Sequence, residues 1–447
     1  MFQKVLIANR GEIAVRIIQA CRDLGIISVA VYSEADREAL HAQIADEAVC
    51  IGPARAADSY LNMDNIISAA LASGCQAIHP GFGFLSENPD FAERITQAGL
   101  AFIGPTAATI RLMGDKSEAK RNAIAAGVPV ALGTDGPLRD FDEAISEAER
   151  IGYPVMLKAA SGGGGKGIRV AESVKDLKDA YDSATAEAIA NFGDGRLYME
   201  KYIHNPRHIE VQILGDNYGN VMHLFERECS VQRRHQKLIE ESPSAFVTPE
   251  LREKMTSAAV ALAKRVGYRN AGTIEFLVDN DRNFYFCEMN TRIQVEHPVT
   301  EEVTGVDLVC EQLRVAAGEP LSFKQEDLTI RGHAIECRIN AEDPSRNFAP
   351  CPGTLVSLHL PGGPGVRVDS AAYQGYKIPP FYDSMIGKLI VYGADREQAI
   401  VRMRRALAEM LFEGVVTATD YQMHILCSKA FVEANFNVNS IANGDFD

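Results

Sequence analysis

The sequence lacks several patterns, and each absence argues against a class of protein. Its nine cysteines form no Cys-x-x-Cys pair, and several lie within apolar segments, which favours reduced, buried thiols over a disulfide framework or a cysteine zinc site. No apolar run reaches the roughly 18 residues of a membrane span. The opening stretch "MFQKVLIANRGEIAVR" also lacks the basic, apolar and small-residue sections of a signal peptide. We therefore expect a soluble, cytoplasmic protein with no membrane partner.

The sequence also has fewer positively charged residues than negatively charged ones. The chain has 45 Lys and Arg residues against 60 Asp and Glu residues, which gives a formal net charge of −15. This balance argues against a general nucleic-acid binder. One run, "RRHQK" from Arg233 to Lys237, is basic against the acidic background. We expect the run to be either a solvated charge cluster or an anion-binding site.

The length and the order of strand and helix patterns predict about three domains. "KVLIANR", "GEIAVRIIQACRDLG" and "ISVAVYS" predict a strand, a helix and a strand, the beginning of a Rossmann-like parallel sheet. We place this α/β domain at residues 1–113 and a connecting helix at 114–129. A small α+β lid is predicted at 130–203, and a C-terminal domain with a mixed or antiparallel sheet at 204–447.

Local patterns add detail to the last two domains. An alanine-rich helix is predicted near residues 175–191, inside the lid. "HIEVQIL", "GTIEFLV" and "NFYFCEMN" alternate in the manner of strands. We expect a final helix after Asp395 and a loose acidic tail, "NGDFD".

Four consecutive glycines lie in the stretch "KAASGGGGKGIRV", from Lys158 to Val170. A dinucleotide fingerprint requires a helix directly after its glycines, whereas "GIRV" is typical of a strand, and a Walker A loop would not continue with Ile168. The kinase triplets His-Arg-Asp and Asp-Phe-Gly are absent from the sequence. A strand-loop-strand hairpin remains. It is either a cover whose backbone N–H groups bind nucleotide phosphates or a flexible surface hairpin.

The stretch "CEMNTRIQVEHP" has a wholly polar face if it is extended, because side chains alternate with a period of two. The residues on that face are Glu288, Asn290, Arg292, Gln294 and Glu296. These are poor strand formers. The pattern favours a functional groove, although a solvated edge strand would show the same alternation.

A hairpin is predicted just upstream, with its turn at "DNDRN". Glu275 on one strand then lies near Glu288 and Asn290 on the other. Two adjacent carboxylates repel unless a cation lies between them, and a set of oxygen ligands favours Mg²⁺ or Mn²⁺. We therefore predict a metal site formed by Glu275, Glu288 and Asn290.

Several motifs resemble a known family. Lys116 in "MGDK", Lys158 before the glycines, the strand "MEKYI" and the pair Glu275 and Glu288 resemble the ATP-grasp fold. Longer motifs resemble biotin carboxylase: "IANRGEIAVRI", "HPGFGFLSEN", "MEKYIHNPRHIEVQ", "RECSVQRRHQK", "EMNTRIQVEHPVTE" and "GHAIECRINAEDP". The resemblance implies that ATP and bicarbonate carboxylate carrier-bound biotin by way of carboxyphosphate. The sequence has no "MKM" biotinyl motif, so it resembles the stand-alone subunit of bacterial acetyl-CoA carboxylase.

The same resemblance implies a set of nucleotide-binding residues. Lys116 and Lys158 would hold the ATP phosphates, and Glu200 would line the adenine pocket. Two ions, Mg²⁺ or Mn²⁺, would accompany the nucleotide. The full implied set for nucleotide and cofactor is Lys116, Lys158, Gly162, Gly163, Gly164, Gly165, Glu200, Lys201, Ile203, His208, Gln232, His235, Glu275 and Glu288.

The resemblance also implies roles in the reaction. Glu296 would be the base that takes the bicarbonate proton, with Arg292 and Lys237 holding the anion. Arg338 would stabilise the enolate of biotin, although without the motif it could equally be a structural ion pair. The implied substrate-binding residues are Phe82, Lys237, Arg292, Gln294, Val295, Glu296 and Arg338.

The sequence departs from the family pattern at four places. Phe82 replaces the usual Tyr, so a hydrogen bond near biotin is in question, and Pro364 replaces an aromatic. Cys351 replaces a common Ser, and "EGVVTAT" lacks the usual Lys-Thr-Asn. The resemblance implies a homodimer that works with a biotin carboxyl carrier protein and carboxyltransferase subunits. The alternatives are another ATP-grasp ligase that joins a carboxylate to an amine, the biotin carboxylase component of a different acyl-CoA carboxylase, and a nucleotide-sensing domain without catalysis.

Overall fold

The structure, a computed structural model, describes residues 1–160 and 168–447. It contains a parallel N-terminal sheet, a three-stranded lid sheet and a large antiparallel sheet. The predicted α/β class with an α+β lid is confirmed. The predicted domain boundaries stay predictions.

The N-terminal domain is a parallel sheet between helices. Its elements, with the two helices that follow, are β1 Lys4–Ile7, α1 Gly11–Asp23, β2 Ile27–Ser33, α2 Leu40–Ile44, β3 Glu47–Gly52, α3 Met63–Ala72, β4 Ala77–His79, α4 Pro89–Gln97, β5 Ala101–Phe102, α5 Ala107–Gly114 and α6 Lys116–Ala125. The strand order is β3-β2-β1-β4-β5. Val5, Leu6 and Ile7 are fully buried, as expected for a central parallel strand covered on both faces. Helix α1 turns its apolar side, including Ile13 and Ile17, into the same core.

The lid is a small antiparallel sheet covered by two helices. Its elements are α7 Phe141–Ile151, β6 Val155–Ala159, β7 Ile168–Ala171, α8 Val174–Phe192 and β8 Leu197–Lys201. Strands β6 and β7 flank the glycine stretch and pair with each other, which confirms the two predicted strands. The predicted alanine-rich helix is α8, whose buried Leu177, Ala180, Ala184 and Ala188 recur every three or four residues.

The C-terminal domain is built on an eight-stranded sheet in which all the paired strands are antiparallel. Its elements are β9 Arg207–Gly215, β10 Val221–Arg233, β11 Gln236–Ser242, α9 Pro249–Arg265, β12 Asn270–Val278, β13 Phe284–Asn290, α10 His297–Thr304, α11 Leu308–Ala316, β14 His333–Asn340, β15 Glu342–Asp343, β16 Ala349–Pro350, β17 Ser357–His359, β18 Val366–Ser370, β19 Met385–Gly393, α12 Arg396–Glu409, β20 Leu411–Glu413, α13 Thr419–Cys427, α14 Lys429–Val432 and α15 Ser440–Asn443. The order is β13-β12-β9-β10-β11-β14-β19-β18. The predicted hairpin between β12 and β13 is confirmed, since the two strands pair around residues 279–283.

Two expectations about the C-terminus are wrong. The helix after Asp395 is α12, but α13, α14 and α15 follow it. The acidic tail is not loose, because Phe446 is 3% exposed and packs beside Phe436. Burying an aromatic ring removes a large apolar area from water, and this outweighs the polarity of the residues around it.

A third correction concerns the polar stretch. Strand β13 ends at Asn290, so the period-two face from Glu288 to Glu296 is not one continuous strand. The N–H of Thr291 donates to Oε1 of Glu87 at 3.0 Å. A side chain from the N-terminal domain thus takes the place of a ladder partner.

No helix within the described residues has the length and apolarity to cross a membrane. The nine cysteines are free thiols. Cys21, Cys75, Cys229 and Cys337 are buried, while Cys50 and others are exposed, so the expectation of buried thiols holds for part of the set.

Candidate active site

A row of charged side chains crosses four neighbouring strands at one register. Glu288 is the Cα partner of Glu275, Glu275 of Glu210, and Glu210 of Arg227. Residues directly opposite each other in a sheet share a face, so the register brings these charges together. The predicted neighbourhood of Glu275 and Glu288 is confirmed.

The ammonium of Lys237, on β11, lies among three carboxylates. Its Nζ is 2.6 Å from Oε2 of Glu210, 3.1 Å from Oε1 of Glu275 and 2.5 Å from Oε1 of Glu296. Burial acts to lower the pKa of Lys237, but the three carboxylates raise it well above its usual range. The side chain therefore stays charged.

Glu296 is held by a different cation at each oxygen. Lys237 lies at Oε1, and Nη2 of Arg338 lies 3.0 Å from Oε2. Burial opposes ionisation, yet these cations lower the pKa of Glu296. Arg338 also donates to Oε1 of Glu240 at 2.5 Å. Burial raises the pKa of Glu240 to about 7, so Glu296 is the more acidic of the two carboxyls bonded to Arg338.

Arg292 follows the end of β13 and faces the N-terminal domain. Its Nε donates to Oε2 of Glu87 at 2.8 Å, and its Nη2 donates to Oδ1 of Asn290 at 3.0 Å. The guanidinium is oriented by these two side-chain acceptors and by the backbone carbonyl oxygen of Ile293, to which Nη1 donates at 3.2 Å. Arg292 remains half-buried at the site.

The fully buried guanidinium of Arg227 supports the centre of the site. It donates to Glu210 and Gln212, each at 2.6 Å, and to Oε1 of Gln294 at 2.8 Å. Gln294 in turn donates to Oε1 of Glu275 at 2.8 Å. A buried guanidinium with matched acceptors fixes its neighbours in one geometry, so Gln294 is held in place by the sheet.

The predicted metal ligands have the chemistry of a divalent cation site. Partial desolvation and the neighbouring Glu275 carboxylate raise the pKa of the exposed Glu288. This is the effect of two like charges, and a cation between them would relieve it. The Asn290 amide donates to Glu275 at 2.9 Å, and its oxygen accepts from Arg292. Asn290 would have to exchange that last bond to become a ligand.

His208 contributes to the same group. Its Nε2 lies 3.2 Å from Oε2 of Glu275 and 3.7 Å from Oε2 of Glu210. Burial acts to lower its pKa, but the Glu275 and Glu210 carboxylates together raise the pKa of His208 to about 9. The histidine is therefore a further cation beside the carboxylates.

A second charged cluster, the lid cluster, is formed by the lid and helix α6. Lys158 and Lys120 lie 2.6 Å and 3.2 Å from the two oxygens of Glu200. Two ammonium groups on one carboxylate leave a surplus of positive charge, which suits a polyanion such as a nucleotide phosphate. Lys201 instead donates to the backbone carbonyls of Gly152 and Tyr153.

The other predicted site residues differ in their exposure to solvent. Lys116 is exposed and Gln232 is buried, while His235 is exposed in the turn between β10 and β11. The half-buried predicted residues are Phe82, Ile203 and Val295. Phe82 packs against the apolar core next to β1. Gly162 to Gly165 lie outside the described residues.

Sequence reasoning missed several side chains that build the site: Glu87, Lys120, Arg227 and Glu240. Glu87 lies within the quoted motif "HPGFGFLSEN", and Arg227 opens "RECSVQRRHQK", so the motifs carried a signal. The partners of these residues lie far along the chain, which no local pattern expresses.

Comparisons with known proteins agree along the whole chain. The family described as "Biotin carboxylase, N-terminal domain" matches residues 1–110, "Carbamoyl-phosphate synthase L chain, ATP binding domain" matches 115–324, and "Biotin carboxylase C-terminal domain" matches 336–443. "Biotin carboxylase 1" of Bacillus subtilis is 56% identical over 100% of this chain and 99% of its own length. A pyruvate carboxylase subunit of Methanothermobacter thermautotrophicus is 57% identical over 96% of this chain and 88% of its own length.

A solved structure is similar over the same span. The biotin carboxylase domain dimer of the 2-oxoglutarate carboxylase of Hydrogenobacter thermophilus, in complex with MgADP, ADP and bicarbonate, aligns with a TM-score of 0.94 and 51% identity. The alignment covers 100% of this chain and 99% of that one.

Fold, charged row and lid cluster together define an ATP-grasp ligase. The chain belongs to the biotin carboxylase family. Its activity is accordingly the ATP-dependent carboxylation of biotin.

Proposed function

We propose that this protein transfers a carboxyl group from bicarbonate to biotin on a separate carrier protein, by way of carboxyphosphate. The observation that carries the proposal is the geometry at Glu296, where Lys237 and Arg338 each approach one carboxylate oxygen. With Arg292 nearby, a small anion entering the site meets cations and an ionised carboxylate together. This arrangement suits bicarbonate, which must be both held and deprotonated.

The proposed reaction proceeds in two steps. A bicarbonate oxygen attacks the γ-phosphorus of ATP, its proton passes to Glu296, and the bond to ADP breaks. Carboxyphosphate then breaks into CO₂ and phosphate, and the phosphate takes the ureido proton of biotin. The ureido nitrogen attacks CO₂, while Arg338 stabilises the charge on the ureido oxygen.

Nucleotide binding is assigned to the lid and to the edge of the large sheet. Lys116 and Lys158 would hold phosphate oxygens, with Lys158 leaving its contact with Glu200. Glu275, Glu288 and Asn290 would hold two ions, Mg²⁺ or Mn²⁺, and the bound metal would neutralise phosphate charge. The related biotin carboxylase domain that binds MgADP and bicarbonate supports the binding of a nucleotide with Mg²⁺, and of bicarbonate, by this protein.

We further propose a cytoplasmic homodimer that serves acetyl-CoA carboxylase in fatty acid synthesis, together with a carrier protein and carboxyltransferase subunits. The related domain dimer supports the assembly. The second candidate function is that of the biotin carboxylase subunit of a pyruvate carboxylase, because one pyruvate carboxylase subunit is 57% identical to this chain. Expression in bacteria depleted of their own biotin carboxylase separates the two: growth without added fatty acids supports the first, and no growth with active soluble protein favours the second.

The direct test of the activity is ADP release by the purified protein. Release that requires both bicarbonate and free biotin is expected. A panel of amino acids and amines in place of biotin tests the alternative ligase. Stimulation by an amine but not by biotin would overturn the proposal, and absence of any ADP release would favour the sensing domain.

A further inference from the structure

A fully buried lysine lies directly behind the proposed base. Lys388, on β19, is 0% exposed, and its Nζ donates to the carbonyl oxygen of Val295 at 2.8 Å. Val295 immediately precedes Glu296. The same Nζ lies 3.3 Å from Oε2 of Glu12, in helix α1 of the N-terminal domain.

The register of the sheet aligns this lysine with a residue already assigned to the site. Lys388 is the Cα partner of Arg338 on the adjacent strand β14, so the two side chains share a face. Arg338 holds the carboxylate of Glu296, and Lys388 holds the peptide just before it. Two neighbouring strands therefore fix the backbone and the side chain of one residue.

The segment from Thr291 to Glu296 needs such contacts because it lies outside the strands. Side chains hold much of its backbone, beside one backbone hydrogen bond from the N–H of His297 to the Gln294 carbonyl oxygen. Glu87 accepts from the N–H of Thr291, Nδ1 of His297 lies 2.8 Å from the Gln294 carbonyl oxygen, and Lys388 donates to the Val295 carbonyl. Each buried backbone group without a partner would carry a cost.

We propose that Lys388 is a positioning residue for the reaction and sets the place of Glu296 through the carbonyl of Val295. The inference rests on the proposed role of Glu296 as the base. A displacement of the base by about 1 Å can cost on the order of 10² in rate, even when substrate binding is unchanged.

The charges around Lys388 allow its two contacts to be separated. Glu12 and Glu336 are both buried, and none of their carboxylate oxygens has a hydrogen bond within the described residues. Burial raises the pKa of Glu12 to about 7 and that of Glu336 well above its usual range. Removing the lysine therefore leaves Glu12 without its counter-charge, a stability defect that Glu12→Gln should relieve. The bond to Val295 is untouched by Glu12→Gln alone.

The experiment compares the parent with Lys388→Met, Glu12→Gln and the double variant. We would measure bicarbonate-dependent ADP release, KM for ATP, melting temperature and far-UV circular dichroism. Lys388→Met should lose on the order of 10² in kcat with KM for ATP within about threefold of the parent. Glu12→Gln should keep kcat within about threefold. The double variant should regain melting temperature relative to Lys388→Met but not kcat.

Three outcomes for the Lys388 variants overturn the inference. Parent-like kcat in Lys388→Met removes the positioning role, and kcat that recovers with melting temperature in the double variant assigns the loss to stability. If neither Lys388 variant folds, the residue is structural. Parallel assays of the parent and Glu296→Gln separate the proposed function from the positioning role of Lys388. An inactive parent, or an active Glu296→Gln, refutes the proposed function and leaves the contact between Lys388 and Val295 in place.

Discussion

Lys237 and Glu296 face each other across the site, with Nζ of the lysine 2.5 Å from Oε1 of the glutamate. Both side chains are buried. The pair keeps the carboxylate ionised, as the lowered pKa of Glu296 indicates. A strongly paired carboxylate is a weak base. Its basicity should rise when bicarbonate takes over the contact with Lys237, so that proton transfer follows substrate binding.

The first prediction concerns Glu296→Gln, which keeps the shape of the side chain and removes its basicity. Turnover in bicarbonate-dependent ADP release should fall by on the order of 10² to 10⁴, with ATP affinity nearly constant. Glu326→Gln, at an exposed position, is the matched control and should behave as the parent. Turnover of Glu296→Gln within about threefold of that control would remove the base role.

The second prediction concerns the metal site. Glu288→Gln removes one charge from the pair with Glu275, so the Mg²⁺ concentration for half-maximal ADP release should rise by about tenfold or more. Maximal turnover should recover in part at high Mg²⁺. An unchanged Mg²⁺ requirement, measured against the exposed-site variant Glu326→Gln, would exclude Glu288 as a ligand.

The third prediction separates the charge of Arg292 from its orientation. Arg292→Lys keeps the charge but loses the planar fork that contacts Glu87 and Asn290. The KM for bicarbonate should rise by on the order of tenfold while the KM for ATP stays constant. Glu87→Gln should raise the bicarbonate KM less, because the guanidinium remains. Equal increases in both KM values would indicate a general disturbance of the site instead.

The fourth prediction concerns stability and pH. His41, in helix α2, is fully buried, and burial lowers its pKa from 6.5 to about 4. The unfolded chain therefore binds a proton at a pH where the folded chain does not, so stability falls as the pH drops from about 6.5 towards about 4. The full effect is on the order of 3 kcal/mol. Above pH 6.5 this contribution to the pH dependence disappears.

Melting temperatures between pH 7 and pH 4.5 check this prediction. His41→Gln removes the titration and should melt with a shallower dependence on pH than the parent, although Gln is a poorer fit to the core. His359→Gln, at an exposed histidine, is the control and should leave the slope unchanged. A parent-like slope for His41→Gln would contradict the assignment.

Which features of the fold and the site could be predicted from the sequence depends on how far apart along the chain the interacting residues lie. Alternation and turn residues act over a few positions, so they determined the hairpin of β12 and β13 and with it the pair of Glu275 and Glu288. The apolar spacing of helices α1 and α8 is equally local. The longer family motifs also identified Lys237, Glu296 and Arg338 as site residues. A motif marks which residues belong to a site, but it does not say which atoms they contact.

Only the tertiary structure decided the features that depend on distant segments. Strand β13 ends at Asn290 because Glu87, 204 positions away from Thr291, accepts the next N–H. Lys388 reaches the Val295 carbonyl across 93 positions, and the polar tail is packed because Phe446 finds an apolar surface. Local patterns express the preference of a segment for a conformation. Which buried donor meets which acceptor is set by the packing of the whole chain, where an unpaired polar group is costly.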